Sequence, residues 1–136
     1  MGAVFGFVLT LHSWVRWVTV LVAVAAIIKL ALGWLRGGAF EKADRLLVTG
    51  FSSLMDTQML LGLIFLFGSG FTGGGWPRQR LEHVGVMLVA VIVSHLPAMW
   101  KKQPDKTRFR NTLFAILGSL AIVVVGVTAL PQGWFG

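Results

Sequence analysis

The chain has 136 residues, 56% of them hydrophobic and 12% charged, with a mean hydropathy of +0.80, whereas a soluble domain is about one-quarter charged. That composition and length describe one integral membrane domain, so the formal charge of +7 is read as a guide to topology and not as a sign of nucleic-acid binding. With no cysteine, disulfides, thiolate metal sites, thiol catalysis and iron–sulfur clusters are excluded.

A helix that crosses about 30 Å of hydrocarbon needs about 20 apolar residues. Four stretches supply them, predicting an all-α four-helix bundle with spans at about 8–35, 46–67, 81–100 and 112–130. The first lacks a basic leader, carries Arg16 and runs past the usual length of a signal peptide's apolar core, so it is expected to be a retained helix. Gly37-Gly38, Gly68-Ser69-Gly70, Lys101-Lys102-Gln103-Pro104 and Pro131-Gln132-Gly133 end the four in turn. The Gly-rich segment from Gly68 to Trp76 reads as a flexible linker, and Lys101 to Arg110 as a basic loop that attracts anionic headgroups or anchors the topology.

Nine basic residues (Lys29, Arg36, Lys42, Arg45, Lys101, Lys102, Lys106, Arg108 and Arg110) fall beside the first and third connections, against three (Arg16, Arg78 and Arg80) on the other side. The positive-inside rule then puts both termini and the Gly-rich connection outside. Trp14, Trp76 and Trp134 are expected at the outer interface, and Trp34 and Trp100 at the inner one.

Helical periodicity aligns His12, Arg16, Thr19, Ala23 and Ala26 on the first helix, and His83, Met87, Ala90 and Ser94 on the third. Both stripes turn small toward the inner half, as faces packed against other helices do. A similar stripe, Asn111, Ala115, Gly118, Ile122 and Gly126, marks the fourth helix as structural. Both helices enter from outside, so His12 and His83 share a level in the outer half of the membrane. Asp56 and Gln58 point to different sides of the second helix. Of the two, Asp56 is expected to turn inward, toward Arg16, because an unpaired charge in lipid is costly. His95, a third of a turn off the face of His83 and near the inner end, reads as an interfacial or backbone-bonded histidine.

Two imidazoles at one depth on neighbouring helices suit the two axial positions of a haem iron in an interhelical slot. His12 and His83 are therefore the candidate iron ligands. Arg16, with Arg78 or Arg80, is placed to pair with the propionates, and Met87 lies one turn below His83 as packing or a substitute ligand. Glu82 and Ser13 stand beside the two histidines as candidates to orient them. Against this stands the reading that both histidines bond headgroups, water or Asp56 and bind nothing. No serine–histidine–acid set or carboxylate pair points to a hydrolytic or group-transfer enzyme.

The runs Leu11-His12-Ser13-Trp14-Val15-Arg16-Trp17, Asp56-Thr57-Gln58-Met59-Leu60-Leu61-Gly62 and Glu82-His83-Val84-Gly85-Val86-Met87 resemble a group of small bacterial four-helix membrane proteins described as cytochrome b-like. The likeness covers most of the chain in helix order, through short motifs. It implies a b-type haem protein that passes electrons in the membrane, with His12 and His83 matching the recurring histidines; a quinol or a redox protein is the expected partner and a bacterial inner membrane the expected location. The more distant cytochromes b561 need two histidine pairs; three histidines complete one, which implies a single haem near the outer face. Two further readings are a cofactor-free assembly or packing subunit of a larger complex or homo-oligomer, and a small transporter using Arg16, Asp56, Glu82 and the histidines as a polar path.

Overall fold

The four apolar runs fold as four helices in a computed structural model that describes residues 2–131, 133 and 134. They are α1 (Gly2–Arg36), α2 (Lys42–Ser69), α3 (Arg78–His95) and α4 (Asp105–Thr128). Each is long and apolar enough to cross a membrane, and no strand occurs among the described residues.

The helices begin earlier than the apolar runs do. Nothing in Gly2–Phe7 stops a helix, so α1 has 35 residues, about 52 Å at 1.5 Å per residue. At the start of α2, the Asp44 side chain accepts the Glu41 backbone N–H at 2.8 Å, satisfying a donor that a helix start leaves open. Pro77 and Pro104 stand just ahead of α3 and α4. The segment expected as a basic loop, Lys101 to Arg110, is therefore largely the first turns of α4, and Pro97 falls in a 3-10 turn, Leu96–Trp100, that extends α3.

The Gly-rich linker is also more ordered than its composition suggests. Gly70–Gly74 forms a π-helical turn that continues α2, and positive φ at Gly73 (103°) and Gly75 (73°) reverses the chain. Trp76 packs edge-on against Phe71 and Phe67 at 5.1 and 5.7 Å, clamping the turn with aromatic contacts.

α1 and α3 each pack against both α2 and α4, so the bundle is a square with α1 opposite α3. Thr19, Ala23, Ala26 and Leu30 line the inward face of α1, and Ala90 and Ser94 that of α3, as their spacing predicts. α4 contributes most to the core, through Phe109, Thr112, Leu113, Ile116, Ser119, Val123 and Val127 among others. Its buried face is thus rotated from the predicted stripe, of which Ala115 and Gly126 are buried while Asn111, Gly118 and Ile122 sit at its edge. Small residues let the backbones approach: the Phe109 ring lies over Gly33, where a Cβ would come within 2.5 Å of it. Ser119 Oγ donates across to the Ala90 carbonyl at 2.8 Å. Large apolar side chains such as Phe7, Leu21, Leu35 and Val125 point outward, as on a surface facing lipid.

Candidate functional site

The inward stripes of α1 and α3 carry His12 and His83 to opposite walls of one cavity of about 50 Å³ that all four helices enclose. The two histidines are on diagonal helices, and not on neighbours as the sequence suggested. Below them the walls are Met59 of α2, Met87 of α3, and Val123 and Val127 of α4. Two glycines shape the level of the histidines. A methyl group on Gly62 would lie 3.3 Å from His12 Nε2, so its absence admits the ring. At Gly126 an added Cβ would collide with Met87 Cε, so Met87 lies across bare backbone.

His83 Nδ1 approaches the Gly126 carbonyl oxygen at 3.3 Å. A carbonyl only accepts, so Nδ1 carries the proton and Nε2 keeps its lone pair. This backbone contact does the orienting expected of Glu82, whose carboxylate is instead held by Arg78 at 2.7 Å on the exposed surface. Ser13 likewise turns back to its own helix, onto the Leu9 carbonyl.

Arg16 sits one turn from His12 on the cavity wall. Its Nη2 donates to the Trp134 carbonyl at 2.7 Å, and the guanidinium lies 5.7 and 5.4 Å from the Trp17 and Trp134 ring centres. Among the described residues, Arg16 Nε is buried without a hydrogen-bond partner, as is Gln58 Oε1. Arg80 is committed elsewhere, donating to Ser69 Oγ at 3.1 Å.

Asp56 does not turn inward. Phe51, Met55 and Leu66 are the buried residues that set the inner face of α2, and Gln58 and Gly62, at the same spacing, join it on the cavity wall. That rotation leaves Asp56 exposed, where it accepts from His95 Nε2 at 2.8 Å. So Asp56 pairs with His95 and not with Arg16, and His95 is bonded to a side chain and not to backbone. Glu82 and Asp56 both lie outside the cavity wall that carries Arg16 and His12. Of the small-residue stripes, Ala23, Ala26, Ala90, Ala115 and Gly126 are buried inside the bundle.

Sequence reasoning missed a buried acid, Asp44, whose Oδ1 lies 3.0 Å from Lys29 Nζ and ties α2 to α1. Its signal was the acid three residues after Glu41 at a helix start. Among the described residues no three His, Cys, Asp or Glu side chains gather as an ion-binding cluster.

Haem, the group suggested by two histidines, can be tested against these residues. In kind they fit: opposed imidazoles, a tautomer that frees His83 Nε2, an unsatisfied guanidinium nitrogen suited to a propionate, and a mainly apolar lining. In size, about 50 Å³ falls below the roughly 300 Å³ and more of ordinary ligand sites. A macrocycle would enter only if Met59 and Met87, unbranched side chains with several rotatable bonds, moved off the cavity wall. Compared with protein-family models, curated proteins and solved structures, the chain matches none of them.

Proposed function

We propose that the chain is a membrane-embedded b-type haem electron-transfer subunit that holds one haem between α1 and α3. His12 and His83 would hold its iron. The observation that carries this reading is the opposition of His12 and His83 across one cavity, with His83 turned by the Gly126 carbonyl. When bound, haem supplies one-electron transfer, its potential set by axial ligands, burial and nearby charge. The Gly126 carbonyl fixes His83, and Gly62 leaves room for His12. Arg16 places a positive charge beside the site and offers its unpaired Nε to an acid group. Val123 and Val127 keep one wall of the site apolar.

The basic ends of the helices point to the cytoplasm by the positive-inside rule. That orientation puts both termini and the histidine level on the outer side of a bacterial inner membrane, within reach of a quinol or a redox protein. One observation favours a second reading, a cofactor-free membrane subunit: the cavity holds only about 50 Å³.

Optical spectra of the detergent-purified protein, from cells supplied with a haem precursor, separate the two. Sharp reduced bands of six-coordinate b-type haem, lost in His12→Ala and His83→Ala, are expected. A folded, monodisperse, colourless wild type that takes up no added haem overturns the proposal in favour of the cofactor-free subunit.

A further inference from the structure

A second cavity, of about 390 Å³, opens at the basic end of the bundle between α2, the 3-10 turn and α4. Its walls carry three cations, Arg45, Lys101 and Arg108, with His95 and the hydroxyl residues Thr49, Ser52, Ser94 and Thr112. Among the described residues, none of the three cations is in an ion pair. Asp44, the nearest buried acid, is already engaged by Lys29 and the Glu41 backbone. Arg108 is held with its guanidinium 3.8 Å from the Phe40 ring centre, a stacking arrangement that leaves the N–H edge of the fork free.

Thr112 supplies the independent sign of a ligand. It is fully buried, and its hydroxyl has no hydrogen-bond partner. Helical threonines usually close onto the carbonyl four residues back, as Thr10, Thr19, Thr57 and Thr128 do here. Thr112 forgoes that bond on the wall of a cleft lined by unpaired cations. A buried hydroxyl left open is costly; its oxygen is closed off from solvent, so an acceptor in the cleft would satisfy it once the Thr112 side chain turned toward the cavity.

We propose that this cleft binds a phosphate group, with Arg45, Lys101 and Arg108 neutralising its charge and Thr112 donating a hydrogen bond. A tetrahedral, multiply accepting anion matches convergent donors of this kind, and the cavity admits the phosphate with its ester carbons. The phosphate belongs either to an anionic lipid headgroup, whose plane lies at the ends of membrane-spanning helices, or to a soluble phosphate. The proposal is independent of the haem reading.

The test uses the full chain, delipidated in detergent, with phosphatidylglycerol and inorganic phosphate as separate probes followed by native mass spectrometry and thermal melting. Binding of at least one probe is expected. It should weaken about tenfold or more in Arg45→Gln/Arg108→Gln, through loss of charge-assisted bonds. The control Lys102→Gln/Lys106→Gln, which removes the same charge from exposed positions off the cleft wall, should leave it unchanged. Thr112→Val should weaken binding while melting no lower than wild type without a ligand, since it removes an unsatisfied hydroxyl; this arm stands even if the double arginine variant fails to fold. Phosphatidylglycerol binding that phosphate does not displace assigns a lipid, and phosphate binding alone with displacement assigns the soluble ion. No binding of either probe, or equal weakening by the arginine and lysine variants, overturns the site.

Discussion

His83 and Gly126 meet across the α3–α4 interface, the imidazole Nδ1 3.3 Å from the glycine carbonyl oxygen. The contact ties ring orientation to the position of α4, and Gly126 holds that position because it has no side chain to push Met87 away. Gly126→Ala brings a methyl group against Met87 Cε and should disturb His83 through its carbonyl partner. Loss of such outer-shell support commonly costs about 10- to 100-fold in metal affinity. A haem titration of the detergent-solubilised variant should show weakening in that range. Gly118→Ala, where the nearest side-chain atom is 3.9 Å away, should bind like wild type; equal affinity of both variants would remove Gly126 from the site.

Gly62 makes the matching test on the opposite wall. A methyl group there sits 3.3 Å from His12 Nε2, tight enough to shift the ring by a few tenths of an ångström, and a larger side chain evicts it. Gly62→Ala should retain colour with altered bands. Gly62→Leu should convert a six-coordinate spectrum to a five-coordinate one, as His12→Ala should if any haem remains. An unchanged spectrum in Gly62→Leu would mean that His12 is not a ligand.

The Lys29–Asp44 pair should govern stability and not colour. Asp44 is fully buried while the Lys29 side chain is 42% exposed, so the two deletions are unequal. In Asp44→Ala the freed ammonium reaches water along its flexible stem, and the loss is on the order of 2 kcal/mol from the charge-assisted bond and the helix start. Lys29→Met instead strands a buried carboxylate, at a cost of about 3 kcal/mol or more. Unfolding in denaturing detergent should rank wild type above Asp44→Ala and Asp44→Ala above Lys29→Met. A Lys29→Met protein as stable as wild type would show that the pair contributes nothing.

How far the sequence carries depends on which signal each residue leaves. The four spans, their order and the inward faces of α1 and α3 were legible because Thr19-Ala23-Ala26 and Ala90-Ser94 repeat small residues at helical spacing. The face of α2 was not, because Asp56 drew the inference by its charge, while Phe51, Met55 and Leu66 set the rotation by their bulk. Lys29 and Asp44 lie on either side of a turn whose geometry decides whether they touch, and no spacing rule spans it. Arg108 was hidden because a run of cations looks like a loop, although Pro104-Asp105 marks a helix start within it. Thr112 left no signal at all, since an unused hydroxyl becomes visible only when its neighbours are in place.

The Asp56–His95 pair yields the most asymmetric prediction. The two side chains are 54% and 48% exposed; Asp56 stands near the middle of α2, whereas His95 ends α3 on the rim of the polar cavity, so Asp56 is the one that alone faces an apolar medium. The histidine donates from Nε2 to the carboxylate, and on losing that partner it can turn toward the polar end of the bundle at modest cost. A carboxylate that loses its donor is left without a partner beside lipid, and an acid at the centre of a spanning helix costs about 2.5–3.5 kcal/mol on insertion scales. His95→Leu should therefore lower folded yield and melting temperature more than Asp56→Leu does. The double variant should recover to wild type or above, because neither polar group is then left unpartnered in an apolar medium. Melting curves of the three variants in one detergent decide the point. If the double variant is as damaged as His95→Leu, the carboxylate is not what destabilises the single variant, and the pair is held by a contact other than the 2.8 Å bond.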